Sequence, residues 1–565
     1  MIQKRTPAQN WLLVFGAAVW WLGAAHGLLG QQTLSAVPDA VYYNGKIITV
    51  DSSSSVREAF AVRGDRFVAA GGSAEMRTLA GPQTLLVDLQ GRAVIPGLMD
   101  NHNHAYHAGV VMLRGIEMRG VPSLAEMLNR IRQAASTKPA GQAIYASMGW
   151  NANDFPEKRP PNRRDLDEAA PNHPVVVYQA RGAAYVNSAA LRAMGITRDT
   201  TNIGRATIEK DSAGEPTGAI SGSPSAVMNP TGDITPRTHE EIKEHLLAVQ
   251  KLLLAQGLTS IRDLQIRPDG MRAYFDLWRE GRLTMRISMG LEVNPEDVDQ
   301  LEEVLRPWGV GTGFGDHWLR LDGIAEFNPG VYWRDPTIEP DQPNLPLEKY
   351  RQAILLINRA GWRASPHVEG DRTLDLVLDA YEAADRERSI RDQRWIVEHV
   401  AMVHPDQMER MKRLGVAVSA QIQPYRGAGN MVRSWGRERA ERAVPMRELL
   451  DHGLIVSGGT DWPGLNLSPF ANMYYYVTRN TLPLGPLGVA QKISRMEALR
   501  VETLNNAYLT REETIKGSIE TGKLADFVIL SEDFLTVPEE QIRSIQPLAT
   551  YVGGRKLYAR PGGGF

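Results

Sequence analysis

The chain has 565 residues, with 63 lysines and arginines against 65 aspartates and glutamates, a formal charge of −2 and no cysteine. A near-neutral balance without a basic block lacks the electrostatic footprint of a nucleic-acid binder, so no nucleic-acid partner is expected. The absence of thiols excludes disulfides, thiolate metal sites and cysteine nucleophiles, and leaves imidazoles and carboxylates as the strong metal ligands.

At the N-terminus Lys4 and Arg5 precede the apolar run WLLVFGAAVWWLGAAHGLLG, followed by the small polar run GQQTLSA. Residues 1–31 read as an export signal, with an uncleaved membrane anchor as the alternative, because the run is nearly long enough to span a bilayer. No cysteine follows, so a lipoprotein anchor is excluded. The expectation is an exported chain, periplasmic or secreted, that meets a membrane only through this segment.

From Asp39 to about residue 93 the pattern is short β runs with Asn44-Gly45 and Gly64-Asp65 as hairpin signals. The far end repeats it in ADFVILSED and LATYVGGRKLYAR, with a Gly553-Gly554 turn. With no other partners in view, the two ends are expected to form one composite β-sandwich from 39–93 and 482–565.

Between them apolar β runs alternate with amphipathic helical stretches, the pattern of βα units on a parallel sheet. Eight candidate strands stand out: RAVIPGLMD (92–100), LTSIRD (258–263), RISMGLEV (286–293), WLRLDGIAEF (318–327), WRASPHV (362–368), RWIVEHV (394–400), VAVSAQIQ (416–423) and LIVSGGTD (454–461). Eight is the number that closes a barrel, so the predicted fold class is α/β, a TIM (β/α)8 barrel over 94–481. Residues 110–235, with apolar strands of their own, read as an insertion covering the barrel mouth.

His102 and His104 follow the first strand in PGLMDNHNH, two residues apart, so in extended chain both imidazoles point to one side. An H-x-H pair alone is a moderate signal. It gains weight because His367, His399 and Asp461 fall at the ends of the fifth, sixth and eighth candidate strands, the face where barrel enzymes place their sites. Of the 12 histidines, the others sit in the leader, in loops, in helix starts or within a helix, where polar residues are unremarkable. GSIETGK fits a phosphate-loop pattern, but Leu524 occupies the place that needs serine or threonine, so a nucleotide site is not expected. Trp150 in GWNANDFP and Trp462 in GGTDWP are candidate pocket aromatics, against the commoner role of such rings in packing.

In order and spacing the segments VIPGLMDNHNH, GWNANDFPEKRPPNRRDLDEAAPNHPVVVY, YVNSAALRAMGI, GEPTGAI, QGLTSIRD, PHVEGDRTLDLVLDAYE, RWIVEHVAMVHPDQMERMKRLG, GGTDWP and GSIETGKLADFVIL resemble the amidohydrolase superfamily. The likeness is to its amidohydrolase 3 group, which includes N-substituted formamide deformylases. The resemblance implies that His102, His104, His367 and His399 hold a divalent metal, one or two ions with zinc preferred, and that Asp461 ligates it and relays protons. Two departures stand out. Relatives often carry a bridging, carbamylated lysine on the fourth strand, where this chain has GIAEFNPG; Ala325 stands at that position and Glu326 one residue on. A shift of register at the strand end would let Glu326 take the lysine's place, against a plain outward-facing glutamate. Relatives also carry D-G-H where this chain has ARGAAYVNS, so substrate contacts differ there, and Arg181 is a candidate for an anionic substrate group.

The function implied is hydrolysis of a non-peptide carbon–nitrogen bond in a small amide or N-acyl compound by a metal-activated water. A deaminase or an esterase/lactonase on the same scaffold, or a catalytically silent binding protein, is the alternative. A homo-oligomer is compatible with all of these.

Overall fold

The computed structural model describes residues 37–118, 120–146, 150–179, 183–202, 206–222, 237–293, 299, 301–305, 309–465 and 467–565. The leader segment 1–31 and Arg181 lie outside them. Pro38–Phe565 forms one compact unit. Among the described residues no helix is long and apolar enough to cross a membrane.

Both ends of the chain contribute to one six-stranded sheet. Ala93–Pro96 lies beside Phe527–Leu530, antiparallel, with Val94 opposite Ile529 and Pro96 opposite Phe527. A four-stranded sheet of Ala40–Tyr43, Ala59–Arg63, Arg66–Gly71 and Leu85–Asp88 packs its aromatics onto it. Tyr42 stacks on Phe60 at 4.8 Å and meets Phe527 edge-on at 5.0 Å, and Phe527 stacks on Tyr551 at 4.3 Å. The first C-terminal strand of this sheet is Phe527–Leu530, and before it the Ile519 N–H already donates to the Thr49 carbonyl at 2.8 Å. The helices Arg495–Val501 and Leu504–Leu509 lie against the parallel strands, where Asn506 donates to the Met99 and Gly458 carbonyls.

Each of the eight apolar runs carries a parallel strand. Five form one sheet in the order Ala364–Ser365, Leu319–Ala325, Arg286–Glu292, Leu258–Ile266, Leu98–Asn103; four form a second, His367–Val368, Ile396–His399, Ala417–Ala420, Val456–Gly458. The chain passes from one sheet to the other at Pro366. At the opposite edges the Asp461 N–H donates to the His102 carbonyl at 2.8 Å, and the His104 N–H to the Trp462 carbonyl at 2.9 Å. The result is a curled parallel α/β core, its helices packed outside by apolar faces such as Ile242, Leu246, Val249 and Leu253.

The first predicted strand, 92–100, is two strands serving two sheets, divided at Gly97. A Cβ there would stand 2.2 Å from the Thr259 hydroxyl, so only glycine lets the chain change sheets in contact with the neighbouring strand. The second of these strands runs on to Asn103, so His102 lies inside it. The insertion forms its own six-stranded sheet, entered at Gly115–Ile116 directly after the helix Ala105–Arg114 that follows His104.

Candidate metal centre

Six side chains from five strand ends converge. His102 and His104 come from the first parallel strand, Glu326 follows the fourth, His367 begins the short strand after Pro366, His399 ends the sixth, and Asp461 follows the eighth. Glu326 Oε1 lies 3.2 Å from His102 Nε2, 3.3 Å from His367 Nδ1 and 3.3 Å from His399 Nε2. Its Oε2 faces His104 Nε2 at 3.9 Å. Asp461 Oδ1 lies 3.4 Å from His104 Nε2 and 3.6 Å from His102 Nε2. The ligand atoms fall into three close triplets, His102/His104/Glu326, Glu326/His367/His399 and His102/His399/Asp461, each within 4.8 Å.

Backbone geometry explains why Glu326 joins this set. Regular alternation would turn it to the other face from Ala325, but its φ is +59°, so the strand is broken at this residue and the side chain is re-aimed. Its N–H is held by the Ser365 carbonyl at 2.6 Å. His399 (φ +68°) and Asp461 (φ +50°) share the left-handed conformation, which costs on the order of 1–3 kcal/mol at each non-glycine residue. Strain gathered at three converging side chains is the pattern of a functional site.

The orientation of the histidines is fixed from behind. Glu398 Oε2 lies 2.8 Å from His102 Nδ1, so the ring turns Nε2 inward, and Nε2 is buried with no hydrogen-bond partner. The Gln423 amide lies 2.8 Å from His399 Nδ1, and the His399 N–H donates to Gln421 at 3.1 Å. A buried imidazole nitrogen without a partner, aimed at two carboxylates, is what an ion-binding site requires, so the donor set fits a divalent metal.

Below these groups lies a network that reading the sequence for ligands missed. Arg262 donates to Glu398 at 3.1 Å, to Asp322 at 2.8 Å, to Ser365 at 3.1 Å and to the Asn101 carbonyl at 2.7 Å. Arg363 donates to Asp322, and Ser365 to Glu398. All four charged residues are buried, two of each sign. The signal was present as charges within apolar strands: Arg262 in LTSIRD, Asp322 in LRLDGIA, Arg363 in WRASPHV and Glu398 in IVEH.

Charges shift accordingly. Burial alone would raise the Glu326 carboxyl, but the charge of the adjacent His102 imidazole and the contacts with His367 and His399 outweigh it and hold it well below the usual range. Asp461 is lowered in the same way: burial opposes, while His104 and the neighbouring imidazoles prevail. Burial and the neighbouring His104 lower His107 to about 3, so it stays neutral, its Nε2 2.8 Å from the Gln265 carbonyl.

The remaining candidates divide. Trp462 is buried beside Asp461, and Asn103 forms a parallel bridge with it. Trp150 is buried in the core of the insertion, stacked on Phe155 at 5.6 Å, its indole N–H given to the Tyr178 carbonyl at 2.8 Å. Its polar atom is therefore engaged within the insertion. His404 lies 2.8 Å from Asp371, and His452 2.8 Å from the Glu448 carbonyl, both structural contacts outside the cluster.

A model described as the amidohydrolase family matches residues 85–558. An N-substituted formamide deformylase of Arthrobacter pascens is 28% identical over 94% of this chain and 100% of its own. An uncharacterized metal-dependent hydrolase of Pyrococcus horikoshii OT3 shares the fold with a TM-score of 0.74 at 23% identity, over 89% of this chain and 99% of that one. One from Pyrococcus furiosus gives 0.68 at 25%, over 88% and 100%. With the family match extending from the N-terminal sheet through the parallel strands to the last strand, the chain belongs to the amidohydrolase family.

Proposed function

We propose that this protein is a metal-dependent hydrolase of a non-peptide carbon–nitrogen bond in a small amide or N-acyl compound. The observation that carries the reading is Glu326, whose two oxygens are shared between the pair His102/His104 and the pair His367/His399. If a divalent metal is bound, His102, His104, His367, His399 and Glu326 are the residues that would hold it. Zinc suits the nitrogen-rich set. The same reading takes the parallel strands as a closed (β/α)8 barrel and the two terminal sheets as one sandwich.

When bound, a divalent ion would supply the chemistry of a Lewis acid, activating water near neutral pH and polarising a carbonyl. The protein groups do the rest. Glu398 and Gln423 keep the His102 and His399 rings aimed inward. Asp461 is ionised, and its side chain is 20% exposed against 9% for Glu326, so it is the carboxylate within reach of substrate. It takes a proton from water and returns it to the leaving nitrogen. His367, with a side chain 33% exposed, marks the open side from which substrate enters.

Elemental mass spectrometry on purified protein, beside a His102→Ala/His104→Ala variant, tests the reading together with a panel of N-formyl and N-acyl amines. About two ions per chain and chelator-sensitive release of amine are expected. No metal after reconstitution, or ammonia as the sole product, overturns it.

A further inference from the structure

The hairpin Asn480–Thr481/Gly485–Pro486 projects an uncharged apolar tip. Leu482 is 51% exposed and Leu484 44%, with exposed Pro483 between them and Val489, 56% exposed, three residues past the hairpin. From Asn480 to Val489 the sequence NTLPLGPLGV holds no charge. Single exposed leucines need no explanation, but a run gathered on one tip marks a surface that meets something apolar.

The hairpin is pinned to the helix Gln423–Trp435: the Leu482 N–H donates to the Tyr425 carbonyl at 2.8 Å, and Pro483 lies over Gly429. This helix has two arginines and no acidic residue. Both Arg426 and Arg433 are exposed, and neither pairs with a carboxylate among the described residues; the Arg433 guanidinium lies along the same Gly429 and is hydrogen-bonded to Asn430. Two acids lie close by and both have partners: Glu540 is engaged by Tyr474 at 2.7 Å, Asn480 at 3.2 Å and Arg543 at 3.6 Å, and Glu441, whose carbonyl abuts Gly488, pairs with Arg437 at 3.0 Å. An apolar tip flanked by unpaired arginines is complementary to an anionic lipid surface, with side chains entering the interface and guanidinium groups among the phosphates.

We propose that the tip Leu482–Leu484, with Arg426 and Arg433, docks this protein on an anionic phospholipid bilayer, independently of residues 1–31. Gln423, in the first turn of the same helix, lies 2.8 Å from His399 Nδ1, so the helix that carries the hairpin starts beside the candidate metal centre.

The test is co-sedimentation of the compact unit Pro38–Phe565 with vesicles of phosphatidylglycerol and phosphatidylcholine, or of phosphatidylcholine alone. Binding to the anionic vesicles is expected. Leu482→Ser/Leu484→Ser lowers the partition at least tenfold by removing buried apolar area. Arg426→Ala and Arg433→Ala each lower it about fivefold, an effect that 0.5 M salt reproduces. These side chains are exposed, so unchanged circular dichroism and melting midpoint are required of every variant. The proposal is overturned if neither vesicle binds, or if binding ignores both sets of substitutions. It is also overturned if sedimentation velocity shows a dimer that the leucine variant splits, which assigns the face to a second copy.

Discussion

Glu398 Oε2 stands 2.8 Å from Nδ1 of His102, with neither side chain exposed to solvent. The pair links the candidate metal-site cluster to the buried Arg262/Asp322/Arg363 network, so the direction in which His102 offers Nε2 is set by charges in the interior of the strands. Carboxylate–histidine pairs of this kind hold the ring's orientation and raise its basicity as a ligand.

Glu398→Gln keeps the volume but removes the charge. Metal affinity, read by competition with a fluorescent chelator, is expected to fall about 10- to 100-fold. Thermal stability falls as well, since Arg262 loses one of its two buried carboxylate partners. Unchanged metal affinity would show that His102 needs no support from Glu398.

Glu326→Gln tests the shared carboxylate. The expected stoichiometry falls from about two ions to one or fewer, with hydrolysis reduced at least a hundredfold as the activated water is lost. Retention of two ions would remove Glu326 from the bridging role.

Asp461→Asn separates proton transfer from metal retention. Removing a positioned acid–base group is expected to lower kcat about 10²- to 10⁴-fold while KM changes little. The metal content of the same sample, measured alongside, should stay near the parental value; a loss of metal that matches the loss of rate would make Asp461 a ligand alone.

Asp526 joins the terminal sheet to the third parallel strand through Arg286, at 2.6 and 2.7 Å. Burial opposes its ionisation, but Arg286 prevails and holds the carboxyl below its usual value. A lowered folded-state value means that this pair stabilises the fold above the unfolded pKa of about 3.9, and that the contribution is lost as pH falls through the folded value. Melting midpoints between pH 7 and pH 3 should fall less steeply for Asp526→Asn than for the parent, from a lower starting point. Parallel curves would disprove the assignment.

The sequence by itself determined the eight runs that carry the parallel strands, the β character of the two chain ends as mutual partners, and His102, His104, His367, His399 and Asp461 as candidates. Those features are written in local periodicity and in residue types at strand ends, which pattern reading resolves. It also marked Glu326, one residue after Ala325, as a candidate ligand. Whether that carboxylate turned in or out depended on one left-handed residue, and alternation is blind to such a break. The tertiary structure decided that turn, the division of the first strand at Gly97, and the partnership of Glu398 with His102 across 296 residues of chain. Each depends on which groups meet when distant strands pack side by side, and buried charges find their partners only at that stage.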